Sequence, residues 1–176
     1  TGRAAPEVFD QVVFACHADQ ALRLLDRPSL EEEAALSAIR FQDNQAWLHR
    51  DAGQMPKRRA VWSSWVYQAD TRAPETQIGV TYWMNRLQNI PEGDPLFVTL
   101  NPARAIDPAK VYDQTTFRHP VFDHAAIAAQ ATLRKIAGQN NTWFAGAYTR
   151  HGFHEDGFAS AMRIARTLDS RERIAA

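Results

Sequence analysis

Residues able to do chemistry crowd into positions 142–162, which read Thr-Trp-Phe-Ala-Gly-Ala-Tyr-Thr-Arg-His-Gly-Phe-His-Glu-Asp-Gly-Phe-Ala-Ser-Ala-Met. The pattern predicts a short apolar strand over 143–147, a polar glycine-containing loop, and a helix from about Gly157. Gly146 lacks a side chain, so another group can approach the backbone there. The first amides of a helix are unpaired and electropositive, and they suit a ligand with partial or developing negative charge. Glu155 and Asp156 stand at that start, and their charges oppose a bare phosphate. A heteroaromatic carbonyl or ribityl hydroxyls fit better. The plain alternative is an Asp156 cap on a solvated loop.

Other chemistries find less support. Gly152 and Gly157 have the spacing of a Walker A loop, but Phe158 stands where that loop needs Lys. No Gly-x-Gly occurs anywhere in the chain. His151-x-x-His154-Glu155-Asp156, with His119 and His124 upstream, offers metal-ligand types. A loop, however, lacks the fixed face of a His-Glu-x-x-His helix. Cys16-His17 could pair a thiol with a base, yet strand neighbours point to opposite faces. As the single cysteine, Cys16 allows neither a disulfide framework nor a Cys-based zinc site.

The middle of the chain carries Trp47, Trp62, Trp65, Tyr67, Tyr82 and Trp83. Trp62 and Trp65 are three apart, so on one strand they would face opposite sides. Tryptophan often edges cavities for flat or apolar ligands. The commoner alternative is packing in the core of a sheet. Met55-Pro56-Lys57-Arg58-Arg59 is a short basic run, either a solvated turn or a cation near an anionic cofactor.

These residues must be positioned by about one domain's length of chain. The 176 residues carry 20 basic and 20 acidic side chains and are 45% hydrophobic, a globular composition without the charge excess of a nucleic-acid or membrane binder. No apolar run nears the roughly 18 residues that span a bilayer. The chain opens on Thr1, not Met, and no signal segment follows, so either a leader was removed or this is a piece of something longer; the expected location is cytoplasmic. Segment 9–16 predicts a buried strand, followed by a helix over 17–25. Ser29 is the expected N-cap of a helix over 30–39 with three glutamates in its first turn. Strands are expected over 41–50, 60–68, 77–87, 96–101 and 111–117, with turns at 51–53, 71–74 and 91–95. Asp123 should cap a helix reaching Ala137 and ended by Gly138. The fold class is therefore α+β: a mainly antiparallel sheet of four or five strands with flanking helices and a C-terminal strand–loop–helix.

Trp143-Phe144-Ala145-Gly146, a loop, then Glu155-Asp156-Gly157-Phe158-Ala159-Ser160-Ala161-Met162 resembles the carboxy-terminal flavin-binding signature of the FAD-dependent amine oxidase superfamily. Residues 9–15, a strand followed by a helix, are similar to a strand of the same family. A bacterial branch described as NAD/FAD-binding or amine-oxidase-like is closer still. Its marks are residues 13–22, Leu48-His49-Arg50-Asp51, Trp62-Ser63-Ser64-Trp65, Thr81-Tyr82-Trp83-Met84-Asn85, Val98-Thr99-Leu100-Asn101-Pro102 and Gly152-Phe153-His154-Glu155-Asp156-Gly157. The likeness spans nearly the whole chain. The sequence departs from it at Ala147, where the family has an acid, and at Met162, where it has Gly. The amino-terminal Gly-x-Gly-x-x-Gly unit is absent.

The resemblance implies the carboxy-terminal portion of an FAD-dependent oxidoreductase that takes hydride from a C–N or C–C bond. Residues 1–140 would be a portion of its substrate domain, and 141–176 its flavin-contacting strand–loop–helix. The cofactor would be FAD, held by Gly146, Ala147, Glu155, Asp156, Gly157 and Phe158, with the Gly157 and Phe158 amides facing the flavin pyrimidine ring. Trp62, Trp65, Tyr82 and Trp83 would wall a cavity for a small-molecule or lipid-like substrate. The partner would be the missing N-terminal FAD-binding part, without which this chain would be inactive. Two other classes stay open: a non-catalytic domain for apolar ligands or lipids, and a component completing a flavin site with another chain.

Overall fold

The computed structural model describes residues 5–69 and 78–175, with side chains to residue 170. Along the chain run β1 (Val12–Phe14), α1 (Ala18–Leu24), α2 (Leu30–Ala38), β2 (Phe41–His49), β3 (Trp65–Gln68), β4 (Gly79–Trp83), the single turn α3 (Met84–Leu87) and β5 (Phe97–Leu100). Then follow β6 (Val111–Pro120), α4 (His124–Ile136), β7 (Thr142–Phe144) and α5 (His154–Ala175). The fold is α+β: a five-stranded antiparallel sheet, a small parallel pair, and helices. The turn expected at 71–74 and the first residue of the strand expected over 77–87 lie outside the described residues.

Two compact units divide the chain. The first combines its two ends, up to Gln42 and from His119 onward. It is built on β1 and β7, which pair in parallel with Val12 opposite Thr142, Val13 opposite Trp143 and Phe14 opposite Phe144. Helix starts are locally encoded. Ser29 Oγ accepts the Glu32 N–H at 3.2 Å, and the Glu32 carboxylate accepts the Ser29 N–H at 2.7 Å. This reciprocal box satisfies two amides that a helix start leaves unpaired. Asp123 caps α4 by accepting the Ala126 N–H at 2.9 Å, and its other oxygen takes Arg40 at 2.8 Å. Gly138, at φ 79°, follows the end of α4 in the left-handed conformation that glycine adopts without steric cost. Ala18, Ala21, Leu36, Ile39, Leu133, Ile136, Phe144 and Tyr148 form the unit's main core.

The second unit, residues 43–118, holds most of the sheet, whose strand order is β3-β4-β5-β2-β6. One face of its inner strands buries Trp83, Phe97, Thr81, Thr99 and His49. His49 sits there without solvent contact. Its Nδ1 accepts the Asp51 N–H at 3.0 Å, so Nε2 carries the proton and donates to Thr99 Oγ1 at 2.7 Å. Thr99 in turn lies 2.9 Å from Thr81 Oγ1. Asp51 then ties neighbouring loops together, accepting the Gly53 and Asp107 N–H groups and pairing with Lys110 at 3.0 Å.

Strands β2, β5 and β7 end one to three residues short of the expected 41–50, 96–101 and 143–147, and three others are much shorter than their apolar patterns. The segment over 9–16 yields only three strand residues, and it is not buried: Val12 and Val13 are 41% and 42% exposed, because among the residues of β1 it is Phe14 that packs on the core. The segment over 60–68 begins as a strand only at Trp65, after a 3₁₀ turn at Arg59–Val61. The third ends at Trp83. Asn85 diverts the chain there, donating to the Pro91 and Asp94 carbonyls and accepting the Leu96 N–H at 2.7 Å. Such side-chain bonds to the backbone compete with strand pairing. Among the described residues no helix is long and apolar enough to cross a membrane.

Burial lowers the pKa of His49 against a smaller opposing pull from Asp51. The folded unit therefore holds the neutral ring, while the unfolded chain protonates at an ordinary histidine value. The stability this confers is full above about pH 6.5 and is lost as the pH falls toward the lowered folded value. Urea unfolding followed by tryptophan fluorescence should weaken over that interval in the native chain. His49→Gln should flatten the dependence.

Candidate functional site

The two parallel strands end together. Phe14 is the last residue of β1, and its carbonyl accepts the Ala145 N–H at 2.9 Å, just beyond the end of β7. Beyond that point both chains leave the pair toward helices, β1 through Cys16 and His17 into α1, and β7 through Gly146 and a 3₁₀ turn at Ala147–Thr149 into α5. The carboxyl end of a parallel sheet, faced by helix starts, is where open α/β sheets bind ligands.

Gly146 is required here. A Cβ on it would lie 2.5 Å from Tyr148 Cε1, and its φ of +158° disfavours a side chain. The Gly146 N–H donates to Ser160 Oγ at 2.9 Å, and its carbonyl accepts both the N–H and the hydroxyl of Thr149. Ser160 thereby fastens α5 to the end of β7. Gly157 brings the first turn of α5 close to the same place, since a Cβ on it would sit 3.5 Å from the Ala147 nitrogen.

Helix α5 starts at His154, one turn before the expected Gly157. The reason is Asp156. Its carboxylate is buried and accepts the His151 and Phe153 N–H groups at 3.2 and 3.1 Å, and Arg150 lies 3.7 Å away. This closes the loop into the helix, and the Asp156 and Gly157 amides donate to the Phe153 carbonyl at 3.0 and 3.3 Å. The Gly157 amide, which the sequence pointed to as a ligand donor, is thus engaged within the protein. Phe158 lies far enough into α5 for its amide to pair along the helix, and its ring is 61% exposed. The Ala147, His154 and Glu155 N–H groups keep no protein acceptor among the described residues. Sequence reasoning missed His154 as the helix start, although the Asp156 carboxylate three residues past Phe153 carried the signal.

The four expected wall residues separate. Trp62 lies off the strand, at the end of the 3₁₀ turn, and packs edge-on against Trp83 at 5.2 Å and Phe97 at 5.8 Å. Its indole N–H donates to the Pro56 carbonyl at 2.7 Å, and the Arg59 guanidinium covers both indoles at 5.0 and 5.7 Å. Trp62 and Trp83 therefore belong to a core cluster with Met55 and Phe97. Trp65 pairs across the ladder with Tyr82, and alternation along β4 turns these two to the face opposite Trp83. Trp65 is half exposed and Tyr82 partly so. The expectation that Trp62 and Trp65 share one strand fails, because Arg59–Val61 form a turn instead.

His151 and His154 are exposed, and among the described residues no three His, Cys, Asp or Glu side chains converge as metal ligands. The Tyr148 hydroxyl is buried without a hydrogen-bond partner among the described residues, and burial pushes its pKa well up. Comparison with protein-family models and with curated proteins returned no match.

Gly146→Ala should destabilise the chain by about 1–3 kcal/mol in denaturant unfolding, since overpacking forces the Tyr148 ring to move. Tyr148→Phe should leave stability unchanged or raise it, because it removes an unsatisfied buried group at almost constant shape. A large loss in that second variant would mean that the hydroxyl has a partner.

Proposed function

We propose that this chain is the carboxy-terminal part of an FAD-dependent oxidoreductase of amine-oxidase type, oxidising a C–N or C–C bond by hydride transfer to flavin. One observation carries the reading. The carboxyl ends of a parallel strand pair meet the glycine turn at Gly146 and the start of a 22-residue helix, and the Ala147, His154 and Glu155 amides have no acceptor among the described residues. The quoted likeness at residues 143–146 and 155–162 falls on this same junction. FAD would supply the redox chemistry, and the protein would supply positioning and electrostatics.

The residues present fit one part of such a cofactor. Backbone donors beside Gly146 and Gly157 suit a flat, neutral heterocycle with ring carbonyls. The Asp156 charge is already taken up by loop amides, and Glu155 adds a negative charge that disfavours phosphate. Ala147 and Gly146 stand where a ribityl chain would pass, and the first-turn amides of α5 would stabilise negative charge developing on the ring. For the substrate, the face carrying Trp65 and Tyr82 is the better wall, since Trp62 and Trp83 are occupied with core packing. The aromatic face is compatible with a small amine or an apolar, lipid-like molecule.

The test is spectroscopic. A longer parent carrying a dinucleotide-binding unit should purify with, or take up, flavin and show its visible absorbance bands. Absence of those bands under saturating FAD would sink the reading. The chain of 176 residues alone should bind FAD negligibly in calorimetry, because it has no Gly-x-Gly-x-x-Gly unit for the ADP half. Tight one-to-one binding by this chain would refute that division of the site.

A further inference from the structure

His49 belongs to the Leu48-His49-Arg50-Asp51 run, which the proposed flavin site does not use, and its side chain is wholly buried. Both ring nitrogens are engaged. Nδ1 accepts the Asp51 N–H at 3.0 Å, and Nε2 donates to Thr99 Oγ1 at 2.7 Å. The first of these bonds exists only with an unprotonated Nδ1. A proton there turns the acceptor into a donor that faces another donor. It also places a charge in the core, which is costly without a partner. The Asp51 carboxylate pulls the other way, but its oxygens are already held by the Gly53 and Asp107 amides and by Lys110.

Two loops meet at that bond. Asp51 Oδ1 accepts the Gly53 N–H at 3.1 Å and Lys110 Nζ at 3.0 Å, and Oδ2 accepts the Asp107 N–H at 3.1 Å. Gln54, itself buried, donates to the Arg104 and Ala105 carbonyls at 3.2 and 3.3 Å. Residues 51–55 and 104–110 are thereby tied to each other, and Met55 packs in the cluster of Trp83 and Phe97. Around the ring, β4 and β5 present Thr81, Phe97 and Thr99, none of them charged. The charged and titratable groups there are Arg50 and Asp51 on the ring's own segment, Asp107 and Lys110 from the facing loop, and Tyr112 at the start of β6.

We propose that His49 is a proton-operated latch: when Nδ1 takes up a proton, residues 51–55 and 104–110 release together from the sheet and uncover the Trp83 and Phe97 cluster. This is a partial opening, distinct from unfolding of the whole unit. Release gives the ring to water and to an ordinary histidine pKa, whereas burial lowers its pKa while the loops are closed. The opened form therefore binds the proton more tightly, and acid favours opening by linkage. Opening should rise below about pH 6.5. One proton limits the rise to about tenfold per pH unit, and it ends at the lowered closed-state value. Asp51 does not share this window. Burial pushes its pKa up, but the Asp107 amide, Lys110 and the Gly53 amide outweigh that and hold it below the ordinary carboxylate value. The latch lies within residues 43–118 and is independent of the flavin reading.

The test is amide exchange by NMR on the isotopically labelled chain, from about pH 7.5 to about pH 5.5, either side of the ordinary histidine value. Protection is corrected for the intrinsic exchange rate at each pH. The Asp51, Gly53 and Asp107 amides should lose protection together, by up to about tenfold for each pH unit below 6.5. The Leu96 amide, which the Asn85 side chain holds in another loop of the same unit, should keep its protection. His49→Gln, whose side chain can make both bonds without titrating, should remove the pH dependence at the three amides. The ring nitrogen signals of the native chain need no variant, and they should report an unprotonated Nδ1 for as long as the loops stay closed. Four outcomes would each overturn the latch: protection at the three amides that ignores pH, equal loss at Leu96, a pH dependence that survives in His49→Gln, or a ring that protonates at an ordinary histidine pH while the loops remain protected.

Discussion

Everything in the first unit depends on the pairing of Val12–Phe14 with Thr142–Phe144, which joins segments about 130 positions apart. Closing so long a loop costs conformational entropy before any contact repays it. Three ladder positions cannot offset that by themselves. The compensation is apolar burial on both sides of β7, Phe144 beneath α1, α2 and α4, and Trp143 beneath α5. The stacked Phe14 and Phe144 rings, 5.7 Å apart, link the pair to that core, and Gln11 bonds the Trp143 indole at 2.7 Å. Residues 43–118 become an excursion between two halves of one nucleus, and they carry their own core around Trp83 and Phe97.

The two units use polar groups in the same way at their joints. In the second, Asn85 gathers the 91–96 loop, and Asp51 gathers the 53 and 107 loops with Lys110. In the first, Ser160 and Asp156 hold the turn after β7 and the loop before α5. Each buried polar group meets several backbone partners. That converts a desolvation cost into a fixed loop geometry, and removing one such group would strand the others. The aromatic residues divide by face: Trp62, Trp83 and Phe97 make the buried core, while Trp65 and Tyr82 turn outward.

How far the sequence was readable depends on the range of the interactions that decide each feature. The Ser29 and Asp123 caps, the Gly138 stop and the α+β class follow from signals within a few residues, and the structure has them. The strand over 60–68 was misjudged at its start because the turn at Arg59–Val61 is set by Trp62 packing on distant Trp83 and Phe97. Segment 9–16 looked like a buried strand because it is apolar, but burial depends on what packs on each face, and in β1 that reaches Phe14 and not Val12 or Val13. The union of the chain's two ends into one unit left no local mark. At the candidate site, Gly146 was legible as a close approach. The helix start was not, because Asp156 was taken as a cap in front of α5, whereas it lies inside the helix and reaches back to residues 151 and 153.

The placement of Asp156 inside the helix gives a physical reason why the junction disfavours phosphate. The start of a helix carries roughly half a positive charge, and a carboxylate bound to two amides of the entering loop compensates much of it from within. A phosphate would then meet a neutralised helix end beside Glu155, with only the amides of Ala147, His154 and Glu155 to receive it. Phosphate sites at helix starts depend on an uncompensated end and a glycine-rich loop that wraps the group. This chain has the close approach, at Gly146 and Gly157, without the charge. A flat ring bearing neutral carbonyls asks for that combination: room at the backbone, a few directed donors, and no excess of positive potential.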